Sequence, residues 1–69
     1  METSMYPWGQ ILQATEDAYT QLDIPIGSLA ICLGIVEPDG VRVLLREHRT
    51  PQTYHFSFWS PTKRKIRLL

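Results

Sequence analysis

The segment Glu37-Pro38-Asp39-Gly40 narrows the fold more than any other feature of the chain. Proline presets the backbone at the second position of a turn, and a glycine two residues later supplies the left-handed residue that closes a bulged hairpin. The segment divides two apolar runs rich in β-branched residues, 27–36 and 41–48. Together they predict a β-hairpin.

The register of that hairpin decides which side chains form a core. A type I turn with Gly40 as the bulge pairs Ile35 with Val43, Leu33 with Leu45, and Val36 with Arg42. One face then collects Leu29, Ile31, Leu33, Ile35, Val41, Val43 and Leu45. The other collects Ala30, Cys32, Gly34, Val36, Arg42, Leu44, Arg46 and His48. The register without a bulge sets Ile31 and Ile35 opposite Arg46 and Arg42, mixing large apolar groups with charges. Because a one-residue slip sends every side chain to the opposite face, the bulged register is preferred.

Upstream, Trp8, Ile11, Leu12, Thr15, Ala18, Tyr19 and Leu22 recur at three- and four-residue steps, the mark of an amphipathic helix over 7–22. Pro7 suits its first position, and Asp23-Ile24-Pro25 ends it. Downstream, 53–59 alternates, with Tyr54, Phe56 and Phe58 on one side and His55, Ser57 and Trp59 on the other. Ser60-Pro61-Thr62 makes a turn, and a last strand spans 64–69. The fold class expected is α+β. One domain over 1–69 has an N-terminal helix packed on a four-stranded antiparallel β-meander (27–36, 41–48, 53–59, 64–69), short enough to curl into a small barrel.

With 69 residues, such a domain buries only about 60% of the surface of its unfolded chain. A core that small favours a chain that leans on a partner. The formal net charge is zero, but the charges are segregated. All six acids before Gly40 stand without a Lys or Arg, and all seven bases follow it beside the single acid Glu47. Segregation of this kind bears on partners or on pairing of the two halves across the fold.

Several functions lack a motif. The one cysteine, Cys32, cannot form an internal disulfide, and a reducing, cytoplasmic compartment is expected. Residues 1–9 carry no Lys or Arg and no long apolar run, so no secretory signal is expected there. The most apolar stretch, 24–36, is too short to span a membrane. Gly9, Gly27, Gly34 and Gly40 are too scattered for a phosphate loop, and Glu16 and Asp17 are adjacent on a helix and cannot face one another. His48 and His55, taken with Glu47, Asp39 or Cys32, lack the spacing of a metal site. No catalytic residue, metal or cofactor is expected.

What remains is a basic, aromatic sheet face. On the preferred register it shows Arg42, Leu44, Arg46, His48, His55 and Trp59, extended by Lys63, Arg64, Lys65 and Arg67. Arginine gives forked hydrogen bonds to carboxylates and phosphates, and Trp59 and the histidines can stack. The expected function is a non-enzymatic protein-binding module, an adaptor or small subunit, holding the acidic surface of a larger protein. The alternative is a module for single-stranded nucleic acid, with Trp59 stacking on bases and 63–67 on phosphates. Zero net charge weighs against it. Homo-oligomerisation through exposed strand edges is the other partner expected.

Overall fold

The structure, a computed structural model, describes residues 6–63. Among these residues it is α+β, with one helix and five antiparallel strands in a single open sheet. In chain order these are β1 (Ile11–Ala14), α1 (Glu16–Leu22), β2 (Leu29–Val36), β3 (Gly40–Leu45), β4 (Gln52–His55), a 3-10 turn (Phe56–Phe58) and β5 (Trp59–Pro61). Among the described strands the sheet order is β4-β3-β2-β1-β5, with β4 and β5 at its edges, and the sheet they make is not closed into a barrel. The last strand expected, over 64–69, lies outside the described residues.

The helix expected over 7–22 is divided. Its first half is β1, in which Leu12 and Ala14 are buried while Ile11 and Gln13 are half-buried on the other side. Gly9 has φ +91°, a conformation that excludes a continuous right-handed helix there. The helix starts instead at Thr15, which is extended and whose side chain accepts the Ala18 N–H at 3.4 Å. Glu16 and Asp17 follow in the first turn, where the helix dipole favours acids. This helix buries Ala18 alone and leaves Tyr19 and Leu22 exposed.

The hairpin forms where expected, in a different register. Val36 pairs with Gly40 and Ile35 with Val41 across residues 37–39, and the Glu37–Pro38 bond is cis. The bulge lies inside β2. Between Cys32 and Ile35 the register shifts, after which Cys32 pairs with Val43, Ile31 with Leu44 and Ala30 with Leu45. Gly34 sits in the shift at φ +109°, a backbone that side-chain-bearing residues rarely adopt. The extra residue reverses the alternation of β2 relative to β3. Ala30 and Cys32 therefore face the core, and Leu29 and Ile31 face away from it.

The core is built on that side of the sheet. Across it run Leu12, Ala30 and Leu45, in register with one another, the alanine filling the gap between two leucines. Val41, Val43, Cys32, Ala14 and Trp59 complete the buried set, with Tyr6 and Ala18 above them. Tyr54, Phe56 and Phe58 pack against this cluster as their alternation predicted. Trp59 joins them because the 3-10 turn over Phe56–Phe58 interrupts the strand expected over 53–59 and resets its phase. The Tyr6 hydroxyl donates to the Trp59 carbonyl at 3.2 Å and ties the segment before β1 to the start of β5.

Candidate functional site

On the far side of the sheet, register brings Ile11, Ile31 and Leu44 into one row across β1, β2 and β3. Alternation puts Leu29 and Arg42 on the same side, Arg42 opposite Thr53 of β4. The four aliphatic residues are half-buried and none belongs to the core cluster. Tyr6, Ala18, Phe56 and Phe58 all pack on the opposite, Leu12–Ala30–Leu45 side. The outer face is thus an apolar row with an exposed arginine beside it.

The residues expected on one basic, aromatic face do not all stay together. Arg42 and Leu44 remain on the outer face. Arg46 and His48 lie in the exposed loop after β3, which is fixed to the start of β2 by the Arg46 N–H donating to the Leu29 carbonyl at 3.1 Å. They help line a cleft of about 520 Å³ with Leu29, Leu45 and Tyr54. Asp23 and Glu47 also line it, so the cleft holds both signs of charge. His55, opposite Gly40 on strand β4 and two residues along from Thr53, falls by the same alternation on the Arg42 side. Lys63 is exposed, and Arg64, Lys65 and Arg67 lie outside the described residues.

Trp59 is a correction. Only 2% of it is exposed, its ring lies 5.8 Å from that of Tyr54, and it cannot serve as a stacking platform for a base. Its indole N–H is buried without a hydrogen-bond partner among the described residues.

The segregated charges do not neutralise one another within the described residues. The acid–base contact found there sets His55 Nε2 3.4 Å from Asp39 Oδ2, an ion pair only when the imidazole carries a proton on both nitrogens. No described acid pairs with Arg42, Arg46 or Arg49. These exposed guanidinium groups are therefore open to carboxylates from outside the described chain.

Cys32 has no chemistry to offer at the surface. Its thiol is buried, donates to the Tyr6 carbonyl at 3.2 Å and accepts the Gly34 N–H at 3.4 Å. Burial pushes its pKa up, partly offset by the Gly34 N–H. A thiol held protonated is a poor nucleophile.

Two features escaped the sequence. The apolar outer row was hidden because a bulge inside β2 cannot be placed from alternation alone. The grouping of Asp39, His55 and Ser57 depends on β4 lying beside β3, though the His-x-Ser spacing is local. Among the described residues no group of three or more His, Cys, Asp or Glu could hold a metal ion. No described helix is long and apolar enough to cross a membrane. Comparison with protein-family models, with curated proteins and with solved structures gave no match.

Proposed function

We propose that this chain is a small, non-enzymatic binding module that docks on a larger protein through the outer face of its sheet. The observation that carries the reading is the apolar row Ile11–Ile31–Leu44, outside the core cluster and flanked by Arg42, which has no ion-pair partner among the described residues. Stable interfaces combine an apolar centre with arginine anchors and a polar rim. The partner surface that fits has an apolar patch bordered by carboxylates, one reaching Arg42 and another reaching Arg46 beyond Leu29. The lone, buried Cys32 suits a reducing compartment, and the cytoplasm is the proposed location.

The test is affinity capture from nuclease-treated lysate, followed by calorimetric titration of the purified partner. The wild-type chain, Ile31→Glu and the double variant Arg42→Glu/Arg46→Glu are compared, after circular dichroism confirms that each is folded. At least a tenfold loss of affinity in both variants, with weaker binding in high salt, supports the reading. Undiminished binding by folded variants overturns it. So does a homodimer in light scattering that Ile31→Glu dissolves, because a second copy then occupies the face.

A further inference from the structure

Asp39, His55 and Ser57 form a connected set at the β4 edge of the sheet, remote in role from the apolar row. The Ser57 hydroxyl oxygen lies 2.8 Å from His55 Nδ1, and His55 Nε2 lies 3.4 Å from Asp39 Oδ2. All three side chains are exposed. The turn before β3 supplies Asp39, whose carbonyl accepts the Phe56 N–H at 3.0 Å, and Gly40 pairs with His55 across the strands. The imidazole stacks on the Phe56 ring at 4.6 Å, which fixes its plane.

The hydrogen bonds also fix the tautomer. Nδ1 accepts the backbone N–H of Ser57 at 3.1 Å, so in the neutral ring its lone pair points toward Ser57. The ring proton then resides on Nε2, facing the Asp39 carboxylate. The Ser57 hydroxyl therefore donates to Nδ1. Hydroxyl, base and orienting acid stand in the order that activates a serine nucleophile.

We propose that Ser57 is a reactive hydroxyl that accepts an acyl group from donors with a good leaving group, aryl esters and thioesters, with His55 as general base and Asp39 as its positioning residue. Ser57 Oγ attacks the acyl carbonyl carbon and forms the new C–O bond as its proton passes to Nδ1. The carbonyl-to-leaving-group bond then breaks. The leaving aryloxide or thiolate takes the electron pair and receives the proton from His55. Asp39 stabilises the imidazolium formed in between. The product is one ester on Ser57, a stoichiometric modification that requires no turnover and is independent of the partner-binding reading.

The experiment uses p-nitrophenyl acetate as the acyl donor. Nitrophenolate release is followed by absorbance, and the acetylated residue is located by mass spectrometry of peptides. The expected result is one acetyl group on Ser57, absent in Ser57→Ala. His55→Gln, whose side chain can still accept the Ser57 N–H, should slow it by about 10²-fold, the low end for a general base. Asp39→Asn should slow it several-fold. In the unfolded chain neither Asp39 nor the Phe56 ring orients His55, and the Ser57 hydroxyl is no longer held 2.8 Å from Nδ1. Wild-type protein in concentrated urea should therefore label Ser57 at least about tenfold more slowly than folded protein, a comparison that needs no variant. Acetylation confined to lysine amines, or equal Ser57 labelling in folded and unfolded chains, would overturn the proposal. So would a folded His55→Gln that labels at the wild-type rate.

Discussion

An aspartate scan along β2 tests the reversed alternation on which the outer face depends. Ala30 and Cys32 are fully buried, whereas Leu29 and Ile31 are half-buried on the other side. Aspartate at position 30 or 32 places an unpaired carboxylate against Leu12, Leu45 or Val43. An uncompensated buried charge costs about 3–5 kcal/mol. At 0.05–0.15 kcal/mol per residue, a chain of 69 residues has a total stability of about 3–10 kcal/mol. Ala30→Asp and Cys32→Asp should therefore remove about a third of that stability or more, up to all of it. Aspartate at position 31 forfeits a half-buried isoleucine, about 1 kcal/mol, and up to about 1 kcal/mol of strand preference. Leu29→Asp should cost a similar amount, and both variants should remain folded. Urea titration monitored by tryptophan fluorescence reads the difference, since buried Trp59 is released on unfolding. The expected pattern has period two, tolerated at 29 and 31 and not at 30 and 32. The opposite phase, with Ile31→Asp unfolded and Ala30→Asp stable, would refute the bulge at Gly34 and remove the apolar outer row with it.

Two further predictions follow from local geometry. Thr15→Ala removes the acceptor for the Ala18 N–H and the hydroxyl that donates to the Ser57 carbonyl at 3.3 Å. It should cost about 1 kcal/mol, read as a fall in melting temperature of roughly 4–8 °C for a domain of this size. Burial raises the pKa of both Cys32 and Tyr6, the latter also through the neighbouring Cys32. The folded state therefore keeps these protons to higher pH than the unfolded state, and the stability they contribute is present at neutral pH and lost as pH rises. The melting temperature should begin to fall near the ordinary thiol value of 9.0. Cys32→Ala should flatten the first part of that fall, and an unchanged profile would refute the assignment.

The class of fold was legible because it rests on strong local signals. The Pro-Asp-Gly segment does turn the chain between β2 and β3, and Tyr54, Phe56 and Phe58 do reach the core. The boundary between β1 and α1 was not, because Ile11, Leu12, Thr15 and Ala18 satisfy a helical period by coincidence. The competing signals were weaker in the pattern but decisive in the chain. Gly9 adopts a left-handed backbone, and Thr15 followed by Glu16 and Asp17 starts a helix by itself. The phase of β2 was illegible for a different reason. A glycine in an apolar run marks either a bulge or a close approach, and only tertiary pairing tells which.

That single glycine also decides how the candidate site is composed. Had β2 run without the shift, Leu29 and Ile31 would fill the core and Ala30 and Cys32 would face outward beside Arg42. The outer face would then be small and basic, suited to an anionic partner of almost any shape. With the shift at Gly34, the small residues admit Leu12, Leu45 and Val43 to a tight core, and the large aliphatic residues are displaced to the outside. Trp59 is withdrawn at the same time by the 3-10 turn, which removes the aromatic platform from the outside. The surface changes from basic and aromatic to aliphatic with arginines at its border. A nucleic acid offers such a surface phosphates for the arginines but nothing for the aliphatic row. A protein with carboxylates around an apolar patch offers both, and that asymmetry is why the protein partner is the reading favoured by the register.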